Sequence, residues 1–407
     1  MTPITKGMRI GIDVSPLQTG HKYRGVGTYV RNLLPNLACL DRENQYHLFC
    51  LDEIQNEFRN LGANFTVEVI RVPQTGRLAS VLSHQILLPI RVRELHLNIF
   101  HTPFVPTFMA SPGLPVFLGC ARVTTIHDLI PLVTRSIFGQ TLRAYLYYRL
   151  MLHRAKSGSA IIVDSQSTER AVIQYLGVDA QKIRVIHLAP DALFRRLDPE
   201  DIKSSFRAIS KRYGIVFRYI LYVGDLGVVK NLDGLLEALA IICRSGLARD
   251  LQLVVVGKKL PQHVERLKGK IESLGLWRHV VFTDYISMQD LLVLYNQALV
   301  LAFPSLQEGF GLPVLEAMAC GTPIIAARTS SIPEIAGEAA ILFDPLNPQE
   351  IADALRRVLT SEELRESLCK KGYERVMMFT WRETARLTLE VYRSVFARLR
   401  SSRRDAL

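Results

Sequence analysis

No apolar run among these 407 residues reaches the roughly 18 that a membrane-spanning helix needs. A chain inserted across a bilayer is therefore not expected. Also missing is any C-x-x-C pair: Cys39, Cys50, Cys120, Cys243, Cys320 and Cys369 are scattered through mostly apolar patterns. That argues against the common zinc spacings and a disulfide framework, and it fits a reducing, cytoplasmic setting. The first six residues are short on apolar character and lead straight into a β-type run, so no signal peptide is expected. Neither a zinc-finger spacing, an RNA-recognition signature nor a dense basic helix is present, so nucleic acid is not an expected partner.

What is present is a chain 48% hydrophobic, enough to bury two α/β cores. Lys and Arg outnumber Asp and Glu by 50 to 38, a formal charge of +12. A dispersed positive excess suits phosphate-bearing ligands or an anionic membrane surface. Short β-branched runs at 9–12, 46–51, 66–72, 97–101, 123–126, 160–164 and 183–187 alternate with helical patterns at 26–39, 80–95, 137–156 and 167–176. The alternation restarts at 218–223, 251–256, 280–283, 299–303, 323–326 and 340–343. Such order predicts an α/β protein of two doubly wound parallel sheets. The expected boundaries are 1–190 for the first domain, 191–215 for a linker of weak period, and 216–379 for the second domain. A last helical pattern at about 380–400 precedes a basic tail.

The densest chemistry lies between Ser305 and Pro323. An apolar strand ends at Pro304, Gly309 and Gly311 loosen the backbone, and Pro313 suits the first turn of a helix over 312–320 closed by Gly321. Glu308 falls in the loop and Glu316 on the second turn of the helix. Between them the free N–H groups of a helix start form a ready anion site. Two carboxylates around such a site suit a ligand with hydroxyls and phosphates, as in a nucleotide sugar.

Spacing and context together, Glu308 to Glu316 within SLQEGFGLPVLEAMACGTP, resemble the E-x7-E motif of the retaining glycosyltransferases of family 4, which have the GT-B fold. The resemblance extends along nearly the whole chain. RGVGTYVRNLLPNL is similar to the family's N-terminal glycine loop with Gly25 and Gly27, and TTIHDLIPL to the motif carrying a histidine that contacts the donor sugar. The segment from Gly224 to Lys230 resembles the diphosphate loop, and Thr283 to Ile286 the base-binding position, including Tyr285. The phrase SSIPEIAG points to the GDP-mannose-dependent mannosyltransferase branch.

These matches imply a GT-B architecture: two Rossmann-like domains facing a cleft, with the C-terminal helix crossing back to the N-terminal domain. They imply His127 and Glu308 as catalytic residues. Gly25, Gly27, Gly224, Lys230, Tyr285, Gly309, Phe310, Gly311, Leu312 and Glu316 bind the donor, Glu316 through ribose hydroxyls and Lys230 through the diphosphate. The implied partners are a nucleotide sugar, GDP-mannose foremost, and a saccharide or lipid-linked acceptor, with no metal or other cofactor.

The loop departs from the family at two positions. Val229 and Asp225 stand where relatives carry Arg. Another cation such as Lys22 or Arg24 substitutes, or turnover is slow, or the protein binds nucleotide sugar without turning it over. An epimerase or phosphorylase on the same fold is a further alternative.

Three features read two ways from residues alone. A histidine at a strand end, as His127 is, more often serves structure, and Asp128 either binds acceptor hydroxyls or caps the next segment. The apolar, proline-rich loop with Phe104, Phe108 and Phe117 lines a site for an apolar-tailed acceptor, or packs under the last helix. The stretch 135–156 mixes Phe138, Leu142, Tyr145 and Leu146 with Arg143, Arg149, Arg154 and Lys156. It is a membrane-surface helix at a cytoplasmic face, or a core helix with a basic rim.

Overall fold

The computed structural model describes residues 7–404 apart from 21, 23–24, 52–57, 59, 71–82, 107–113, 116, 134–141 and 217. The chain divides into two compact units, Met1–Leu188 with Thr380–Leu407, and Ala189–Phe379.

Seven strands build the first unit's sheet: β1 (Arg9–Asp13), β2 (Gln45–Cys50), β3 (Phe65–Val69), β4 (Ile99–Thr102), β5 (Ala121–Ile126), β6 (Ala160–Val163) and β7 (Ile183–Val185). They lie in the order β3-β2-β1-β4-β5-β6-β7, and every pairing is parallel. All residues of β4 and β6 are buried, as expected for parallel strands covered by helices on both faces. The helix Trp381–Arg404 belongs to this unit. Its Tyr392 hydroxyl sits 2.7 Å from Nδ1 of His101 on β4, and its Thr384 hydroxyl donates to the His187 carbonyl at 2.7 Å.

The second unit holds β8 (Arg218–Val223), β9 (Leu251–Val256), β10 (Val280–Asp284), β11 (Val300–Phe303), β12 (Ile324–Ala327) and β13 (Ile341–Phe343). Their order is β10-β9-β8-β11-β12-β13, again all parallel. Strand order reverses between β1 and β4 in one sheet and between β8 and β11 in the other. A crevice at the carboxyl ends of the strands opens at each such reversal.

The stretch 191–215, expected as linker, is instead part of the second unit and is mostly the helix Pro199–Tyr213. Asp198 caps its start by accepting from the Glu200 N–H at 3.0 Å, Pro199 opens the first turn, and Gly214 ends it in the left-handed region. Only Ile209 of this helix is buried, which is why its apolar period is faint. No helix among the described residues is long and apolar enough to cross a membrane.

Candidate functional site

At the β8/β11 reversal two loops meet. The first, after β8, runs from Gly224 through a short 3-10 turn, Val228–Lys230. The second, after β11, carries Ser305 to Gly311 into the helix Leu312–Cys320. Lys230 Nζ donates to Glu308 Oε1 at 2.5 Å, with the two side chains 18% and 10% exposed. The backbone joins the same loops, since the Leu306 N–H donates to the Val229 carbonyl at 2.8 Å. Two residues foreseen for phosphate and sugar therefore satisfy each other across the crevice.

Side chains not foreseen as site residues hold this loop in shape. Ser330, at φ +49°, accepts from the Glu308 N–H at 2.9 Å, and the Ser331 hydroxyl donates to the carbonyls of Phe310 and Glu308 at 2.9 and 3.2 Å. Asn231 donates to the carbonyls of Pro304 and Pro345, and its own side chain caps the helix Leu232–Arg244. No spacing in the sequence ties 231 or 330 to 308, but both follow strand ends on the same sheet edge.

Gly311 opens the helix Leu312–Cys320 at φ +105°, and no side chain caps it. A Cβ there would lie 2.7 Å from Cδ1 of Ile332, so both backbone angle and space require glycine. Gly311→Ala is expected to lower stability by about 1–3 kcal/mol, read as a shift in the urea midpoint. A midpoint unchanged from wild type would contradict the steric reading. The amide of Leu312 is at the N-terminus of this helix, the end where the helix dipole favours an anion. The Phe310 side chain is buried edge-on to Phe379, ring centres 6.2 Å apart, and its carbonyl accepts from Ser331.

Glu316 is half-buried and accepts from the Tyr295 hydroxyl at 2.8 Å through Oε2. Burial pushes its carboxyl up to about 7, with the Asp191 charge adding and Tyr295 opposing. Gly224 follows β8 so closely that a Cβ on Gly257 would overlap its carbonyl oxygen. Asp225 accepts the Gly227 N–H at 2.9 Å, shaping the loop rather than supplying charge, and Val229 brings none. Tyr285 is exposed just past β10, its N–H given to Asp284 at 2.8 Å.

In the first unit, His127 follows β5 and Asp164 follows β6. Ile126 pairs in register with Val163, so the next residues on each strand stand side by side. His127 Nδ1 lies 2.6 Å from Asp164 Oδ2, and Nε2 lies 2.9 Å from the Pro103 carbonyl oxygen. The Tyr29 ring packs edge-on at 5.1 Å. Burial draws the imidazole down, but the charge and hydrogen bond of Asp164 outweigh it and leave His127 above its ordinary value. Asp164, the residue sequence reading missed, was within reach of the β5/β6 pairing. Asp128 accepts the Ile130 N–H at 2.9 Å, the capping alternative.

Gly25 and Gly27 form the first turn of the helix Gly25–Leu40, the former exposed and the latter buried. Arg24 lies outside the described residues, as do Phe108, Arg135 and Phe138. Phe104 is buried core and Phe117 exposed, so these two aromatics of the apolar loop do not share an exposed face. On the helix Leu142–Lys156, Tyr148, Met151, Leu152 and Ala155 are buried. Leu142, Leu146 and Leu150, four residues apart, are left 72%, 55% and 46% exposed beside Arg143 and Arg149.

Two family models match the chain, one described as Glycosyltransferase Family 4 over residues 23–192 and one as Glycosyl transferases group 1 over residues 208–375. The serotype-specific mannosyltransferase WbdA of Escherichia coli is 30% identical over 66% of this chain, which spans only 33% of that relative's length. The O-antigen chain mannosyltransferase B of Escherichia coli is 26% identical over 95% of this chain and 100% of its own. Among solved structures, sucrose-phosphate synthase from Thermosynechococcus elongatus shares the fold at a TM-score of 0.71 and 22% identity, covering 96% of this chain and 99% of its own. With both units matched in order and the E-x7-E loop built as a crevice at the β8/β11 reversal, the chain belongs to glycosyltransferase family 4.

Proposed function

We propose that this chain is a retaining hexosyltransferase that moves mannose from GDP-mannose to a saccharide or lipid-linked saccharide during polysaccharide or lipopolysaccharide assembly. The observation that carries the reading is the Lys230–Glu308 pair bridging the β8 and β11 loops, three residues before an uncapped helix start. An incoming diphosphate takes Lys230 and the amides of Gly311 and Leu312, releasing Glu308 toward the sugar. Glu316 then accepts ribose hydroxyls, and His127 is the residue proposed to contact the transferred sugar. The leaving phosphate, held by these donors, assists deprotonation of the acceptor on the same face of the sugar. The names of the two mannosyltransferase relatives support mannose as the transferred sugar.

Incubation with a panel of nucleotide sugars, with and without lipid and sugar acceptors, tests this by release of free GDP or UDP. GDP-mannose is expected to give the fastest release, undiminished by EDTA because neutralisation rests on protein groups. No release from any donor would sink the enzyme reading. One observation favours a rival, a nucleotide-sugar-binding partner without turnover: Lys230 is the single cation of the 224–231 loop, and Asp225 already occupies the Gly227 N–H. Tight GDP-mannose binding with no release under any acceptor would favour that rival.

The leucine stripe on Leu142–Lys156, flanked by Arg143 and Arg149, is proposed to rest on an anionic bilayer. Sedimentation with phosphatidylglycerol vesicles at low salt is expected. Replacing Leu142, Leu146 and Leu150 by Ser should cut the bound fraction roughly tenfold without lowering the melting temperature. Wild-type protein that stays in the supernatant removes this proposal.

A further inference from the structure

We propose that Asp164 is a positioning residue that holds His127 as a doubly protonated imidazolium, so that His127 acts as a fixed cation and not as a proton acceptor. The geometry is specific. Both ring nitrogens of His127 face groups able to accept: the Asp164 carboxylate at 2.6 Å and the Pro103 carbonyl at 2.9 Å. A carbonyl oxygen cannot donate, so Nε2 carries a proton. A carboxylate at 2.6 Å requires a second proton between it and Nδ1. The other oxygen of Asp164, Oδ1, is buried with no hydrogen-bond partner among the described residues, so His127 is the group that hydrogen-bonds this carboxylate.

Other groups packed around the ring agree. Asp128, on the same loop, adds negative charge. His101 on β4 is neutral, burial and the His127 charge having pushed it down to about 3. Tyr29 presents a ring edge, and burial raises its hydroxyl far above neutrality, so it brings no charge. The charge of His187 also acts on the Asp164 carboxylate, in the lowering direction and behind that of His127. Asp164 itself is raised by burial, with the His127 charge opposing. One proton is thus shared in a short bond, and we place it on the ring, where Asp128 also favours it.

This inference rests on the proposed role of His127 for its chemical meaning, but not for its test. A ring fixed by Asp164 and Pro103 presents a standing positive charge to whatever approaches it, suited to a sugar-linked phosphate oxygen or a hydroxyl lone pair. To engage such a group directly through Nε2, the ring exchanges the Pro103 carbonyl for it, one acceptor replacing another, with no net proton transfer.

The full chain labelled with ¹⁵N-histidine, with the resonance identified by His127→Gln, reads the protonation state directly. In the wild type both ring nitrogens of His127 are expected to be protonated at pH 8. In Asp164→Asn the ring is expected to be neutral at that pH. A neutral His127 in the wild type at pH 8 overturns the inference, and so does a doubly protonated ring in Asp164→Asn. Should Asp164→Asn fail to fold, the wild-type spectrum alone decides.

GDP release from GDP-mannose supplies a second readout. The alkaline fall in kcat should move to lower pH in Asp164→Asn, with kcat at pH 8 on the order of tenfold lower and KM little changed. Asp164→Glu should restore the wild-type limb. If wild-type protein releases no GDP, the proposed function fails, while the histidine spectra still decide the role of Asp164.

Discussion

Lys230→Ala is expected to lower GDP release from GDP-mannose by roughly 100- to 1000-fold, the loss that follows removal of one donor aimed at developing charge. The effect should be large because no second side-chain cation stands in the same loop: Val229 is apolar and Asp225 is committed to Gly227. Glu308→Gln should lower turnover comparably, yet with the opposite effect on product affinity. Lys230 is bound to Glu308 at 2.5 Å, and in the proposed function a diphosphate displaces that pair. Neutralising Glu308 removes the charge that competes with phosphate for Lys230, so GDP should bind more tightly, by roughly 3- to 30-fold. Titration calorimetry with GDP on both variants separates the cases. Weaker GDP binding in Glu308→Gln would show that the pair does not compete with phosphate.

The two sheets were legible because parallel strands buried on both faces write themselves as continuous apolar runs. The strand expected at 218–223 coincides with β8, and the one expected at 251–256 with β9. The helix 312–320 was legible from its punctuation, glycine before and after with proline inside, and it has those bounds. The helix Pro199–Tyr213 carries equally good punctuation in Asp198, Pro199 and Gly214. It was passed over because a helix with one buried residue has almost no apolar period. End signals outranked hydrophobic rhythm there.

Site residues divide on similar lines. Of those named by a local motif, Glu308 and Lys230 meet, and Glu316 lies on the helix that follows the Glu308 loop in the same unit. Those that work through tertiary neighbours carry no local mark. Asp164 lies 37 residues from His127, and Tyr295 lies 21 from Glu316. Asp164 could have been reached by pairing β5 with β6 and reading one residue past each. Tyr295 could not, since it sits on the neighbouring helix Met288–Gln297, whose facing is fixed only by packing.

Glu316 should make ligand binding and stability respond to pH in opposite senses. Its carboxyl is raised from the ordinary 4.5 to about 7, first by burial and then by the Asp191 charge. The fold therefore favours the protonated form. Between about pH 4.5 and 7 the unfolded chain gives up this proton while the folded chain keeps it, so this group's contribution to stability declines through that window and levels off above it. Ribose hydroxyls, by contrast, donate best to the ionised carboxylate, whose Oε2 is held by Tyr295 and whose Oε1 is left for the ligand. GDP-mannose suits the measurement because its esterified pyrophosphate does not titrate near neutrality. Its affinity is expected to rise roughly tenfold from pH 6 to pH 8 as the carboxylate forms. Glu316→Gln should bind more weakly and with a flat profile across that range, and should melt higher than wild type at pH 8. A wild-type affinity that does not change with pH, or an equal slope in Glu316→Gln, would remove Glu316 from the donor site. Both outcomes are read on GDP-mannose binding alone, whether or not the sugar is ever transferred.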